Sequence, residues 1–284
     1  MRILEKGIVK KLNSIDFEND TELYGFRAGK STHDAFEVVQ EACKNKKPVV
    51  LIDLAKAYNS VSREQVMNRL KPKLDEVDHD ILHQIVNKQT VKVMDRYMRT
   101  DKGLPQGSAL SPVLFNHAFD EVVSEIKRRL PDTQTVAYAD DTAVIGTNRA
   151  DIIEEILGKF GLTVNRKKSA ILNGDCKGYP SRKTYKYLGS RLKSDGQVIG
   201  ATPLIRKIRD KAVKCSMFGK ANPSKALQLT LSVVGAMINF HKERTEKIGP
   251  RLLISIKTAL QLPRGLKIET IRKAILAWTK KDSS

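Results

Sequence analysis

The stretch "TVAYADDTAVIG" constrains the fold more than any other part of the chain. Two β-branched, half-apolar runs flank Ala139-Asp140-Asp141, which predicts a strand, a tight turn bearing adjacent acids, and a returning strand. Paired aspartates in a hairpin are ordinarily turn formers. A second run, "VVLIDLAKAYNSV", places a third carboxylate, Asp53, at the end of another strand of buried type. A charge beside an apolar strand is costly unless something pairs with it. Three carboxylates brought together repel and raise one another's pKa values. Divalent cations relieve that repulsion, and Mg²⁺ takes a few carboxylates and completes its shell with substrate phosphates. Two such ions on shared carboxylates clamp the attacking and leaving oxygens of a phosphoryl displacement.

The charge balance says where that chemistry would act. The chain of 284 residues carries 51 Lys and Arg against 32 Asp and Glu, a net charge of +19 spread along its length. This is the electrostatic footprint of a nucleic-acid binder rather than of a surface tuned for solubility alone. Carboxylates and charge together point to nucleotidyl transfer on a nucleic-acid strand. Cys43, Cys176 and Cys215 are far apart and lack CxxC spacing, which argues against a zinc site or disulfide framework and for a reducing compartment. The N-terminus has neither secretory nor transit character, and the most apolar run, "LSVVGAMINF", is too short to span a bilayer. A soluble intracellular protein is expected, with no choice among nucleus, cytoplasm and organelle.

From Val49 to about Leu192 short strand-like runs ("VVLIDL", "QTVAYA", "TAVIG", "SAILN") alternate with helical patterns. "SREQVMNRLK" opens with a Ser62-x-x-Gln65 capping signal, and "SPVLFNHAFDEVVSEIKRRL" predicts Ser111 as N-cap with Pro112 at the first helical position. An earlier helix, "STHDAFEVVQEACKN", begins with Ser31-x-x-Asp34. Such mixing reads as α+β or α/β. After Gly200 the strands stop, and apolar residues at helical spacing with Lys or Arg opposite predict a basic helical module joined through "SDGQVIG".

"GFRAGKST", Gly25 to Thr32, looks at first like a phosphate-binding loop. That pattern requires a glycine where Tyr24 stands, after a buried strand, and the preceding "SIDFENDTELY" is acidic and polar. Spacing and context both fail, so the stretch has another role.

In order, "GFRAGKSTHDAF", "LIDLAKAYNSV", "GLPQGSALSPVLFN", "AYADDTAV", "GLTVNRKKSAIL" and "YKYLGSRL" resemble the successive motifs of reverse transcriptases, of the non-LTR retrotransposon and group II intron type. The resemblance implies an α+β right-hand polymerase fold: partial fingers over 1–48, a palm with an antiparallel sheet over 49–195, and a helical thumb over 201–284. "GFRAGKST" then resembles a fingers element. Asp53 and Asp140 would ligate two Mg²⁺ ions, for which Mn²⁺ can substitute, with Asp141 in support and the Leu54 carbonyl as a further ligand. Tyr58 falls at the position of an aromatic steric gate against a ribose 2′-hydroxyl. Gln106 would touch the templating nucleotide, with Pro105 and Gly107 allowing close backbone approach. Arg27 and Lys30 would face the triphosphate or template. Lys168 matches a lysine that protonates the leaving pyrophosphate, although Arg166 and Lys167 compete for that role, and Tyr187-Leu188-Gly189 resembles a hairpin that grips the primer end.

The activity so implied is RNA-directed DNA polymerisation: dNTPs are added to a DNA or RNA primer 3′-hydroxyl on an RNA template, without a membrane. Two other readings compete: a domesticated, non-catalytic RNA-binding scaffold, which would not need three mutually repelling carboxylates, and an RNA-dependent RNA polymerase, which Tyr58 disfavours. Asn59 stands where the family commonly has Asp. "RILEKGIVKKL" resembles the tail of the first fingers motif, so a partner domain or chain is expected to supply the upstream fingers and any endonuclease.

Overall fold

The computed structural model describes residues 2–87, 90–93, 96–99, 102–104 and 107–199, together with 210, 211, 214 and 257. The chain divides into two compact units, Met1–Val198 and Ile199–Ser284. Pro105, Gln106, Cys215 and the expected thumb, apart from helical residues at 210, 211, 214 and 257, lie outside the described residues.

The first unit runs α1 (Arg2–Asn13), α2 (Thr32–Lys44), β1 (Val49–Ala55), α3 (Ala57–Ser60), α4 (Arg63–Leu70), α5 (Glu76–Asn87), β2 (Thr90–Val93), β3 (Arg96–Arg99), α6 (Leu110–Arg129), β4 (Gln134–Tyr138), β5 (Asp141–Ile145), α7 (Ala150–Lys159), β6 (Thr163–Val164), β7 (Ala170–Leu172), β8 (Thr184–Tyr187), β9 (Ser190–Lys193) and β10 (Val198–Ile199). The main sheet has the order β4-β5-β1-β6, with β7 also on β1. Every one of these pairings is antiparallel. β8, β9 and β10 form a smaller sheet, and β2 with β3 a separate hairpin.

β1 is central because it is the most apolar strand: Val49, Val50, Leu51 and Ile52 are all buried. Each such side chain contributes about 1.5–3 kcal/mol on burial, enough to hold a strand whose next residue is a carboxylate. Side chains alternate between the faces of a strand. Val50, Ile52 and Leu54 pack with α6 residues such as Leu114 and Phe115 in one core. Val49 and Leu51 pack with Phe36 and Val39 of α2 and with Tyr187 and Leu192 in the other.

The helix starts follow their caps in two cases. Ser31 caps α2 with a reciprocal capping box to Asp34, and the Ser62 hydroxyl accepts from the Gln65 amide at the start of α4. The third expectation is corrected: α6 begins at Leu110 with Ala109 as N-cap, and Ser111 lies inside the first turn. Leu110 is fully buried, so packing draws two more residues, Leu110 and Ser111, into the helix, and the Ser108 hydroxyl accepts from the Leu110 amide instead. α6 also anchors the segment before α2. Buried Asp120 accepts from the Asn19 amide at 2.9 Å and pairs with Arg69 of α4 at 2.5 Å. Among the described residues no helix is long and apolar enough to cross a membrane.

Candidate active site

The hairpin β4–β5 pairs Tyr138 with Asp141, leaving Ala139 and Asp140 as a two-residue turn. Ala139 has φ +54°, a conformation that costs a non-glycine residue roughly 1–2 kcal/mol. β1 pairs with β5 so that Asp53 lies opposite Asp141. By alternation both project onto the face of Val49, Leu51 and Ala143, the face covered by α2 and the β8–β9 hairpin. Like charges directly opposed across strands destabilise a sheet. Accordingly, burial first, then repulsion from Asp140 and Asp53, pushes the Asp141 carboxyl up to about 6.

Asp53 is fixed by the loop after β6. Its amide donates to the Ser169 hydroxyl at 3.0 Å, and its carbonyl accepts from the Asn165 amide at 2.8 Å. Carbonyls alternate between strand edges, so that of Leu54 faces the opposite, β5 edge, just beyond the last pair, Asp53 with Asp141. The same loop brings Lys168 Nζ to 3.9 Å from Asp53 Oδ1. Arg166 turns away to pair with Glu154 at 2.7 Å, and its guanidinium lies 5.6 Å from the Tyr179 ring centre. Of the three basic residues, Lys168 is the one that reaches the carboxylates.

Tyr58 follows β1 on α3, its ring stacked on Phe115 of α6 with centroids 4.8 Å apart. Burial, with a smaller contribution from Asp140, pushes its hydroxyl up to about 12, so it is a neutral, wedged ring beside the acidic turn. The loop leading to Gly107 is tied to the same helix: Leu104 N donates to Tyr58 O at 2.7 Å, and Gly103 N to Val61 O at 3.1 Å. Gly103 has φ +81°, and a Cβ there would lie 2.7 Å from Asn59 Cα, so only glycine fits. Gly107 is also left-handed, at φ +85°; Gln106 lies outside the described residues.

The segment "GFRAGKST" lies along the acidic hairpin. Tyr24 N donates to Ala137 O at 2.8 Å, and Asn116 of α6 donates to Gly25 O at 2.7 Å. A Cβ on Gly25 would come within 2.5 Å of Ala139 N, so this glycine is the floor beneath the turn that presents Asp140. Arg27 and Lys30 are engaged by the residues just before the segment. Arg27 pairs with Asp20 and sits 4.0 Å over the Phe17 ring, while Lys30 bonds Leu23 O at 3.0 Å. Burial disfavours the charged Asp20 carboxylate, but the Arg27 hydrogen bond and the Lys30 charge outweigh it and hold its pKa below the ordinary value.

β8 and β9 meet in a turn at Leu188-Gly189, with Tyr187 paired to Ser190. Tyr187 is buried, stacked on Phe36 with centroids 6.4 Å apart, so its ring is core and only the turn itself is presented outward. Sequence reasoning missed Gly25, Asn116, Asn165, Ser169 and also Tyr185. Burial and the charges of Asp53 and Asp141 push the Tyr185 hydroxyl up to about 12, and Lys186 lies close enough to offset part of the charge on Asp141.

Asp53, Asp140 and the half-buried Asp141 supply mutually repelling carboxylate oxygens, the donor type that divalent cations take. Among the described residues no group of three or more His, Cys, Asp and Glu is arranged to hold a metal ion.

The family model described as "Reverse transcriptase (RNA-dependent DNA polymerase)" matches residues 1–192. A curated relative, the retrovirus-related Pol polyprotein from type-1 retrotransposable element R2 of Nasonia vitripennis, is 29% identical over 142 residues, covering 42% of this chain and 14% of that protein. Among solved structures, apo telomerase from Candida tropicalis superposes with TM-score 0.56 at 14% identity, over 89% of this chain and 51% of that one. The RNA-dependent RNA polymerase of a human picobirnavirus gives 0.55 at 13% identity, over 91% and 50%. Both likenesses are to polymerases and show a right-hand polymerase fold.

Proposed function

The chain belongs to the reverse transcriptase family, and from that premise we propose that it is an RNA-directed DNA polymerase, adding dNTPs to a primer 3′-hydroxyl paired to an RNA template. The observation that carries the reading is the register of β1 on β5, which sets Asp53 opposite Asp141 with Asp140 in the adjoining turn. Asp53, Asp140, Asp141 and the Leu54 carbonyl are the residues that would hold two Mg²⁺ ions. Such ions, when bound, polarise the attacking hydroxyl and neutralise charge on the leaving pyrophosphate.

The rest is the work of the chain itself. Lys168 is exposed and beside Asp53, so it can swing to the leaving pyrophosphate and give it a proton. Tyr58 cannot retreat, because Phe115 is behind it, and a ring held there clashes with a ribose 2′-hydroxyl. This favours dNTPs over ribonucleotides and supports DNA synthesis over RNA synthesis. The Leu188-Gly189 turn, with buried Tyr187 as its anchor, supports the primer end in this reading. Gln106 and Gly107 are assigned to the templating pair. Arg27 and Lys30 contact phosphate in this reading only by leaving Asp20.

Primer extension on a primed RNA template with dNTPs and Mg²⁺ tests the proposal, with Asp140→Asn as control. Extension by the native chain, reduced at least about 10³-fold in the variant at unchanged template affinity, is the expected outcome. Tight binding of the primed template without extension would favour the non-catalytic RNA-binding scaffold.

A further inference from the structure

One residue of "GFRAGKST" has a position that packing does not explain. Phe26 is 52% exposed, and its backbone has φ +56°, a genuine outlier for a bulky side chain. Burial of the ring would have stabilised the fold, and an extended backbone would have relieved the strain; the structure takes neither. Such conformations persist where the surroundings over-determine them, and they gather at ligand sites.

Both flanks of Phe26 are pinned. Gly25 is held by Asn116 and pressed against Ala139. Arg27 is held by Asp20 and Phe17 and is only 15% exposed. Between these fixed points the chain has to turn through Phe26, and the ring is left outside. It is not left at random: its centroid is 6.3 Å from that of Tyr138, tilted by 36°. Tyr138 precedes the turn that carries Asp140, so the two rings make an aromatic step beside the candidate catalytic carboxylates. The neighbouring cations, Arg27 and Lys30, are spent on Asp20, which leaves the ring as the large exposed side chain of this segment.

We propose that Phe26 is a stacking site for an unpaired or terminal nucleobase of the strand whose reacting end lies at Asp53, Asp140 and Asp141. The inference rests on the polymerase reading and adds a contact to it. Every base has a π-face, so an aromatic platform grips a strand without reading its sequence, as a polymerase needs. The positive charge of the chain supplies attraction along the phosphates; the ring fixes where a base comes to rest. The base belongs either to the template, ahead of the last pair, or to the primer terminus.

The test uses the full chain and a primed RNA template carrying 2-aminopurine at the first unpaired template position or, in a second substrate, at the primer 3′ end. Phe26→Gly removes the ring and the backbone strain together, and Phe26→Tyr keeps the platform. The glycine variant is expected to be at least as heat-stable as the native chain and yet bind the primed template roughly ten-fold more weakly. The native chain and Phe26→Tyr should quench 2-aminopurine at one of the two positions, and Phe26→Gly at neither. Quenching at the template position assigns the template strand; quenching at the primer end assigns the primer. Unchanged affinity and quenching in Phe26→Gly would overturn the inference while leaving the polymerase reading intact. A fall in Tm matching the loss of affinity would show the ring to be structural. If the native chain fails to bind primed template at all, the polymerase reading falls, and this inference with it.

Discussion

At the scale of single residues, the site trades stability for chemistry. The unfolded Asp141 titrates near 3.8 and the folded one near 6, so in the absence of divalent ions the charged carboxylate opposes folding at neutral pH, and that penalty fades as the pH falls through about 6. Asp141→Asn is therefore expected to raise stability by about 1 kcal/mol at pH 7 after discounting for solvent screening. That is about 3 °C in Tm for a domain of this size, while synthesis is lost. Addition of Mg²⁺ should raise the Tm of the native chain and narrow the gap; a variant no more stable than the native chain without Mg²⁺ would refute the repulsion. His117 works in the opposite sense. Its ring is buried, stacked on Phe17 at 4.3 Å and bonded through Nε2 to Leu12 O at 3.2 Å. Burial, only partly offset by that bond, pulls its pKa down to about 4. Between about 6.5 and about 4 the unfolded chain binds the proton and the folded chain does not, so stability is lost as the pH falls through that window. The loss is about 3 kcal/mol. Urea unfolding at pH 7 and pH 4.5 should show it, and His117→Gln should flatten the difference.

At the scale of elements, the acidic hairpin depends on a segment remote in sequence. Gly25 lies under Ala139, and a methyl group there would meet the turn backbone at 2.5 Å. Gly25→Ala is expected to shift Asp140 and lower kcat by about 10²-fold. Template affinity should change little, and the Mg²⁺ concentration for half-maximal rate should rise. An unchanged Mg²⁺ requirement would mean that the clamp does not position the carboxylate. This dependence was not legible in the sequence, because a glycine's long-range contact leaves no periodicity. What local pattern governs was legible: the strand–turn–strand around Asp140, the buried strand that carries Asp53, and the capping box at Ser31 and Asp34. Where a tertiary contact competes with local chemistry, the local reading failed. Ser111 looked like a cap, but burial of Leu110 starts the helix two residues earlier. The resemblance sets Arg27 and Lys30 facing the triphosphate or template; in the structure both pair with Asp20, an acid that the sequence shows only as part of a polar run.

At the scale of the whole molecule, the carboxylates and the net charge pull in opposite directions. A chain with 51 Lys and Arg against 32 Asp and Glu attracts any polyanion, but the chemistry needs one strand end at one point among acids. Charge is therefore expected to supply the encounter, and geometry the placement. Many of the described acidic residues are already matched within the fold, as in Arg129 with Glu155 and Arg166 with Glu154, so the net positive charge is not cancelled by further acids. Affinity for a primed template should then fall by about three orders of magnitude between roughly 50 and 200 mM salt, as counterion release at several phosphates requires. Asp140→Asn should leave that slope unchanged, because its target is the reacting end and not the phosphate track. Phe26→Gly should lower affinity by the same factor at every salt concentration, since stacking releases no ions. If instead Phe26→Gly altered the slope, the loss of the ring would have displaced the strand from its basic track, and charge and geometry would not be separable functions of this fold.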